Sequence, residues 1–600
     1  PGGFVLMRFL VLAFVVIACA VGLFAQSSKA LDARRAQLRE AIQAEWEYTL
    51  RTHPEFATSI GDPRYNDRLG DYSPEAIARE TEHDKQQLKL FEAIDTTGFP
   101  EDEALNQQLM VRRLRQRVAG AQFKDWEMPV DQFNGAHLGF ASMPSQMPFN
   151  SVKDYENYVV RLHQIPRALG QITDDMMLGL HDELMPPKYL LEKVAVQAQE
   201  IADSAGEKSP FVQPLKKFPA SIPAAEQQRL REAVLKAVQT EVNPAYATFA
   251  AFVKSDYAPK GRTEMGVWSL PNGEERYQFD IQRLTTTSLT PEQIHQMGLK
   301  QVDEIEAQML AIAKQQGYAD LKSFNEHIRQ DPKLHGASGQ KILDLYQHYT
   351  DQMYTKLPLL FGRLPKNKLV VVAMEAYRQP SSPPADYSPG TADGSRPGRI
   401  NVNEYDPQHR LLLNLEAIAY HEGVPGHHLE FSISSGLTGI PPFRKYNYIP
   451  AYSEGWALYS ERLGKDVGFY QDPYSEYGRL ENEMWRSIRL VVDTGVHYKH
   501  WTREQMVDYF HRYTAMDEPN IQTEVDRYIA WPGQALSYKL GQMEILALRE
   551  QAKNELGAKY DIRAFHDELL SAGPLPLEVL HTRVSNWIRS QAADKSVSKP

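Results

Sequence analysis

The sequence predicts a mainly α-helical fold that contains one small β-sheet. Amphipathic stretches with helical spacing fill most of the chain between Leu31 and about residue 590. Ser73-Pro74 and Thr290-Pro291 each combine a capping side chain with a proline in the first turn, which is typical of helix starts. Strand patterns are few: LVVVAM at Leu369–Met374 is uniformly apolar, and RINVNEY at Arg399–Tyr405 alternates.

The expected helices follow one another along the chain with few long interruptions. Residues 123–150, rich in Met, Phe, Gly and Pro, are expected to be irregular, either as a packed connection or as the lining of a cleft. The Asn-Gly pair at 272–273 is expected to join two short strands. The segments expected to be helical are 31–117 with interruptions, 154–172, 188–205, 224–255, 290–316, 339–357, 480–500, 543–555, 560–571 and 575–590.

Composition narrows the classes of function. The net charge is −11, the isoelectric point is about 6.0 and the mean hydropathy is −0.48, which predict a soluble body that does not bind nucleic acid. Cys19 is the only cysteine. If it is removed with a leader, the mature chain has no disulfide and no thiol nucleophile.

The N-terminus has the pattern of an export signal. Residues 1–6 are expected to precede the natural start at Met7. A positive charge at Arg8 and an apolar run from Phe9 to Ala25 then follow, and after them comes polar QSSK. This run is too short and isolated for a permanent span, so cleavage after Ala25 is expected. Cys19 follows Val-Ile-Ala, which resembles a lipoprotein processing site, and a lipid anchor there is the alternative. The predicted location is the periplasm or envelope of a bacterium.

One stretch carries the chemistry: Leu413–Ile433 reads LNLEAIAYHEGVPGHHLEFSI. A His-Glu pair followed by a histidine on the same helix is how zinc peptidases arrange two metal ligands and a general base. The usual spacing is HExxH, but Pro425 occupies the second histidine position here. On a straight helix His427 points away from His421, and His428 lies two turns further on, roughly 10 Å away. Zinc bonds of about 2 Å cannot span that gap.

Pro425-Gly426 offers a solution to the spacing problem. Proline removes one helical hydrogen bond and glycine tolerates unusual dihedrals, so a bulge could absorb two residues and bring His427 under His421. The alternative is a helix that ends at Val424, followed by surface histidines. The residues predicted here are His421 and His427 as metal ligands, His428 as the alternative second ligand, and Glu422 as the general base.

The next helical stretch supplies a third ligand. Ala451–Leu463 reads AYSEGWALYSERL, and Glu454 would complete a two-His, one-Glu zinc site. Its aromatic residues are expected to pack the helix while Glu454 faces inward. Glu461 is expected to lie on the surface.

Four segments together resemble a known family: HEGVPGHHLE, AYSEGWALYSERL, RLVVDTGVHYKHWT and RYIAWPGQALSYKLGQ. They are similar to a large bacterial family long labelled only as a domain of unknown function. It is placed among the glutamate-zincin metallopeptidases, near thermostable carboxypeptidases and the angiotensin-converting and thimet-type enzymes. The resemblance implies a helical metallopeptidase body, formed by residues 30–595 as one domain, with two halves around a central cleft and a small sheet beside the zinc helix.

The resemblance also implies roles for residues outside the zinc helix. A late tyrosine donates to the oxyanion in such enzymes, and Tyr528 and Tyr538 are both candidates. Arg527 could bind a substrate carboxylate. The strand Arg399–Tyr405 would pair with an extended peptide, which places Asn401 and Asn403 among the substrate-binding residues; otherwise it is an ordinary edge strand.

One further helix could reach the cleft. Arg489, Asp493 and His497 recur every four residues within Leu480–His500 and share one face. Asp493 could orient His497, while His497 or Arg489 could contact substrate or a transition-state oxygen. A buried polar ladder between helices explains the same spacing equally well.

These observations predict an exported, zinc-dependent peptidase that hydrolyses oligopeptides with one Zn²⁺ per chain. Glu422 would take a proton from the attacking water and pass it to the leaving amine. Two alternatives remain at this point. The protein could be a non-catalytic, peptidase-like envelope protein that binds peptides or partners, or it could hydrolyse another amide, such as a cell-wall peptide.

Overall fold

The computed structural model describes residues 29–376 and 378–593. The predicted signal segment 1–25, with Cys19, lies outside the described residues. Helices dominate the described chain and a three-stranded sheet accompanies them, which confirms the predicted mainly α class. Among these residues, none of the helices combines the length and the apolar character that crossing a bilayer requires.

The helices and strands are numbered here in chain order. The helices are α1 (29–52), α2 (Pro54–Ser59), α3 (Pro74–Glu92), α4 (Glu101–Gly120), α5 (Ala136–Ser142), α6 (Val152–Leu162), α7 (Ile165–His181), α8 (Lys188–Asp203), α9 (Ala224–Ala237), α10 (Asn243–Phe252), α11 (Gly273–Thr285), α12 (Pro291–Gln315), α13 (Leu321–Gln330), α14 (Gly339–Tyr354), α15 (Leu357–Leu360), α16 (Leu415–Glu422), α17 (His427–Gly436), α18 (Pro442–Lys445), α19 (Pro450–Asp466), α20 (Pro473–His497), α21 (Arg503–Tyr513), α22 (Glu518–Ala530), α23 (Leu536–Leu556), α24 (Ile562–Leu570) and α25 (Leu577–Ala593). The strands are β1 (Leu369–Ala373), β2 (Ala385–Ser388) and β3 (Gly398–Val402).

Helix starts follow the capping chemistry of the sequence. The Ser73 hydroxyl accepts a hydrogen bond from the Ala76 amide at the start of α3. Thr290 forms a reciprocal capping box with Gln293 at the start of α12. The single helix expected over 154–172 is instead two, α6 and α7, because the chain turns before Pro166, which cannot donate a helical hydrogen bond.

The expected hairpin at Asn272-Gly273 is wrong. Asn272 adopts a left-handed conformation with φ of 55°, and Gly273 begins α11. Val267–Ser269, where a strand was expected, forms a 3₁₀ turn. A Cβ atom at Gly273 would lie 2.4 Å from the Val267 carbonyl oxygen, so glycine is needed here for close approach to that turn.

The sheet has the strand order β1-β3-β2. Strand β3 is parallel to β1, with Leu369 opposite Gly398, and antiparallel to β2, with Ala385 opposite Val402. Since β3 is paired on both sides, it cannot add a substrate peptide, and the expectation of an edge strand at 399–405 is wrong. Apolar residues of β3 and β2 pack against α14 and α16, so the sheet supports the helix that carries the His-Glu pair.

Helix α19 packs between the His-Glu helices and α23, and its contact with α23 is unusually close. A Cβ atom at Gly541 would lie 1.9 Å from the Ala451 carbonyl oxygen, and one at Gly455 would lie 2.4 Å from the Gly541 Cα. The two backbones therefore touch at a glycine pair. The aromatic residues expected to pack α19, Tyr452, Trp456 and Tyr459, are buried in the same core as Tyr420.

Gly541→Ala should destabilise the protein by about 1–3 kcal/mol, because the added methyl group must push α19 away from α23. Denaturant unfolding measures the loss as a lower midpoint at unchanged slope. Gly170→Ala is the matched control, since Gly170 is an exposed residue within α7 with open space around it. That control should keep or slightly raise stability. Equal behaviour of the two variants would contradict the close contact.

Candidate metal centre

The predicted bulge is in fact a complete break between two helices. Helix α16 ends at Glu422, the chain leaves helical geometry over Gly423–Gly426, and α17 begins at His427. The Gly426 amide donates to the Tyr420 carbonyl at 2.9 Å, which folds the break back on α16. A Cβ atom at Gly426 would lie 1.9 Å from the His421 carbonyl oxygen, so this approach requires glycine.

The break brings the two imidazoles together beside a carboxylate from α19. The ring centroids of His421 and His427 are 5.0 Å apart. Glu454 Oε2 lies 3.5 Å from His421 Nε2 and 3.4 Å from His427 Nε2. Atoms bound at about 2.0–2.1 Å to a tetrahedral zinc lie roughly 3.3 Å from one another, so these separations match one shared ion. This buried His-His-Glu group could hold a metal ion.

The hydrogen bonds around the group leave lone pairs pointing at the shared point. His421 Nδ1 lies 2.9 Å from Glu461 Oε1 and must donate to it, so Nε2 of His421 is left with a lone pair. Glu454 Oε2 is buried and has no hydrogen-bond donor among the described residues. In a buried site, a nitrogen lone pair that faces a carboxylate oxygen is repelled by it unless a cation lies between the two atoms. The residues present therefore fit a bound metal.

The electrostatics of the group show how strongly it attracts a positive charge, whether a proton or a metal ion. Burial disfavours both charged forms, yet Glu454 raises the pKa of His427 well above its usual range. Burial also opposes ionisation of Glu454, but His427 and His421 hold the pKa of that carboxyl well below its usual range. The arrangement thus keeps Glu454 ionised, as a metal ligand must be.

His428, the alternative ligand, points away from this group. Its Nε2 donates to the Asn367 carbonyl at 3.0 Å, and its Nδ1 accepts from the Tyr387 hydroxyl at 3.0 Å. Both ring nitrogens are thus occupied, and burial lowers the pKa of this imidazole to about 4. The geometry favours His427 and gives His428 the task of tying α17 to the sheet.

Glu461 was expected on the surface, and that expectation is wrong. The side chain is 2% exposed and holds His421 Nδ1. Glu461 lies seven residues after Glu454, two turns along the same face of α19, so helical spacing alone could have indicated that both carboxylates face the histidines.

Sequence reasoning also missed two other residues that support the group. The Tyr448 hydroxyl donates to Glu454 Oε1 at 2.5 Å. Glu430 Oε2 lies 3.9 Å from His427 Nδ1, and both atoms are buried without a hydrogen-bond partner among the described residues. Glu430 follows His427 by three residues on α17, a spacing that indicated contact. Tyr448 precedes α19 in a loop, where no periodicity marks it.

Glu422 lies beside the three candidate ligands on the wall of a cavity of about 370 Å³. It is the last residue of α16 and is half-buried. Burial raises the pKa of its carboxyl, which suits a group that must accept a proton.

The two candidate tyrosines have different surroundings. Tyr538 lines the cavity, and its ring stacks over His421 with centroids 6.1 Å apart. Tyr528 does not line this cavity; its hydroxyl donates to Glu524 at 2.6 Å and accepts from Arg489 at 3.1 Å. Only Tyr538 is placed where a bound substrate could reach its hydroxyl.

Arg489 and Arg527 both line the cavity, whereas His497 does not. His497 Nδ1 accepts from the Val267 amide at 3.0 Å and its Nε2 donates to the Tyr528 carbonyl at 2.9 Å. The imidazole therefore joins α20 to its neighbours, as the polar-ladder alternative predicted. The Asp493 carboxylate accepts from Tyr277 and from Gly533, so it does not orient His497.

Asn401 and Asn403 also lie outside the cavity lining. The Asn401 amide donates to Asp386 at 2.6 Å, and this hydrogen bond links β3 to β2. The Asn403 amide donates to the carbonyls of Gln379 and Ser382. The structure brings neither amide to the metal group.

A second, larger cavity of about 1490 Å³ adjoins the first. The two share Tyr448, Glu454, Arg527 and Trp531 in their walls. The wider space is bounded by α1, α3 and α4 on one side and by the loop between α22 and α23 on the other. It provides a route from solvent to the metal group.

The chain is similar in fold to two solved structures along most of its length. A candidate lipoprotein from Colwellia psychrerythraea is 29% identical, with a TM-score of 0.87 over 93% of this chain and 99% of that one. A candidate lipoprotein of unknown function from Shewanella oneidensis is 18% identical, with a TM-score of 0.65 over 91% and 99%. Metallocarboxypeptidase 1 of Trypanosoma cruzi is 10% identical over 92% of this chain and 96% of that one, with a TM-score of 0.35, which is too low to show a shared fold.

No curated protein matches the chain. A family model described as a bacterial protein of unknown function (DUF885) matches residues 54–584, and the chain belongs to this family.

Proposed function

We propose that this protein is a zinc-dependent peptidase. One observation carries the proposal: two imidazole nitrogens and the Glu454 carboxylate converge at the spacing of tetrahedral zinc ligands. Glu422 lies beside them in the wall of the same cavity. His421, His427 and Glu454 would hold the ion. Bound there, zinc would supply a Lewis acid that activates water and polarises a peptide carbonyl.

Glu422 is the general base of the proposed reaction. Its raised pKa allows it to take a proton from the attacking water and to hand it to the nitrogen of the leaving amine. Hydrolysis forms a C–O bond and breaks the C–N bond, and both protons of the water end on the released amine.

Tyr538 is the proposed donor to the carbonyl oxygen as that oxygen gains charge. Its hydroxyl accepts from Arg527 at 2.8 Å, and its own proton has no acceptor among the described residues. The proton is thus available to substrate, and the guanidinium increases the hydroxyl's donor strength. Tyr528 has already committed its proton to Glu524.

The outer edge of β2 is the proposed guide for the peptide. Pro384 and Asp386 pair inward with β3, and antiparallel alternation therefore turns the backbone groups of Ala385 and Tyr387 outward. Both residues line the cavity beside Glu422. An extended substrate could add there as a further strand.

We also propose that the protein is exported and acts in the bacterial envelope. The predicted signal segment supports this location, as does the likeness to the Colwellia psychrerythraea candidate lipoprotein. Anchoring through Cys19 belongs to the same proposal.

Glu422→Gln should lower kcat on a mixed peptide pool by at least about 10²-fold, because the general base is lost, while one zinc stays bound. Mass spectrometry of the pool and metal analysis of the same sample measure both. Glu416→Gln is the matched control: Glu416 is a buried glutamate on the same helix, bonded to Tyr420 and Ser475. Full activity of Glu422→Gln would remove the mechanism, as would cleavage that survives chelation.

His427→Gln should reduce bound zinc to a small fraction of one equivalent, whereas His428→Gln should keep it. The neighbouring histidines form a matched pair, because both are buried and only His427 faces Glu454. Metal content after exhaustive dialysis separates the two variants. Zinc lost only from His428→Gln would invert the assignment of ligands.

Glu461→Gln should weaken zinc binding by about 10–100-fold without removing a ligand, since a neutral amide accepts from His421 more weakly than a carboxylate does and makes the imidazole a less basic ligand. Competition with a chromogenic chelator gives the affinity. Glu544→Gln, which removes a carboxylate that contacts His581 far from the cavity, should leave the affinity unchanged.

A further inference from the structure

Arg486 is a buried cation that lacks a close counter-ion. It lies on α20, is 4% exposed and lines the cavity of the candidate metal centre. Its nearest acceptors are long: the Asn482 carbonyl at 3.5 Å and Glu461 Oε1 at 3.6 Å. Glu461 already accepts from His421, and Arg486 Nε has no partner among the described residues.

Arg489 lies one turn further along the same face of α20 and also has a donor to spare. It donates to Glu524 at 2.8 Å and to Tyr528, but its Nη1 has no partner among the described residues. Glu524 must also serve Arg527, whose Nη1 is 3.6 Å from it. Three guanidinium groups thus share two carboxylates here, Glu461 and Glu524, although one oxygen of each carboxylate also lacks a hydrogen-bond partner among the described residues.

Burial makes this charge excess costly. Burial lowers the pKa of Arg486, and repulsion from Arg489 lowers it further, while Glu461 compensates only in part. The Trp485 ring, 4.0 Å from the Arg486 guanidinium carbon, adds a modest attraction. An uncompensated buried charge is strongly unfavourable, so an anion that enters the cavity would be bound strongly.

We propose that Arg486 and Arg489 form an anion subsite that binds the C-terminal carboxylate of the peptide, so that the enzyme removes short pieces from the C-terminus. This inference rests on the proposed peptidase function. A planar guanidinium matches a carboxylate with two parallel hydrogen bonds. The same cavity is lined by Glu422, the candidate ligands and these arginines. The volume of this cavity, about 370 Å³, would take the last residues of the chain, and the larger cavity that adjoins it would take the residues before them.

The test compares one peptide sequence in two forms, with a free C-terminal carboxylate and with a C-terminal amide. The wild-type protein should cleave the free acid with a kcat/KM at least about 30-fold higher, since the amide leaves the guanidinium unpaired. The products should be short C-terminal fragments. Equal rates on the two forms, with cuts far from the C-terminus, would overturn the subsite while leaving the peptidase intact.

Arg486→Gln should bring the ratio of acid to amide rates close to 1 and leave zinc content unchanged. A purely positioning role of Arg486, acting through Glu461 on His421, predicts equal losses on both forms and weaker zinc binding instead. Arg486→Lys keeps the charge without the fork and should recover part of the ratio. Arg549→Gln removes a buried arginine that pairs with Asp466 outside the cavity, and it should leave the ratio unchanged.

Two further measurements test the subsite in other ways. One measures binding when no peptide is cleaved, and the other asks whether the site holds an inorganic anion instead of a carboxylate. In zinc-loaded Glu422→Gln, calorimetry should detect 3-phenylpropionate and miss 3-phenylpropanamide, and adding Arg486→Gln should abolish this difference, which a carboxylate bound to zinc alone would keep. If the acid binds preferentially but the wild-type protein cleaves no peptide, the subsite assignment stands and the proposed peptidase function is wrong. Equal binding of acid and amide would contradict the subsite. If replacing chloride with gluconate lowers the rates on acid and amide together, the site holds an inorganic anion and the carboxylate assignment is wrong.

Discussion

The metal group depends on the way α19 holds the break between α16 and α17. The indole of Trp456 donates to the Pro425 carbonyl at 3.0 Å, and the Ser460 hydroxyl donates to the same oxygen at 3.3 Å. These bonds satisfy a carbonyl that the break removed from helical bonding. The same helix presents Glu454 to both imidazoles and Glu461 to one of them. One helix therefore fixes the break, supplies one candidate ligand and orients another.

Positively charged side chains in the same cavity offset the negative charge around the histidines. Acidic side chains surround the histidines, while Arg486, Arg489 and Arg527 lie along the adjoining wall. Without a divalent cation the acidic side is in excess, and without an anion the basic side has donors to spare. The two halves of the cavity thus call for ligands of opposite charge, which are the requirements of a metal and of a carboxylate substrate.

The sequence predicted the helical class and the residues that converge, because both follow from helical spacing and from the ligand chemistry of His and Glu. It predicted less where tertiary contacts decide. The choice between His427 and His428 depends on a break whose geometry is set by hydrogen bonds to Tyr420 and from α19. The place of β3 in the sheet depends on strand order, which alternation does not encode. Arg486 was missed because its importance lies in the partners it lacks.

The break also changes the chemistry of the residues at its two ends. In an uninterrupted helix neither the base nor the second histidine would occupy a terminus. Here Glu422 is the last residue of α16, where the partial negative charge of a helix C-terminus disfavours a carboxylate. His427 is the first residue of α17, where the partial positive charge disfavours an imidazolium. Each effect is worth about 0.3–1 kcal/mol. The first adds to the burial that raises the pKa of Glu422, and the second opposes in part the effect of Glu454, which raises the pKa of His427. The inserted residues therefore do more than interrupt the usual spacing, since the geometry that replaces it places two helix termini at the point where charge must be controlled.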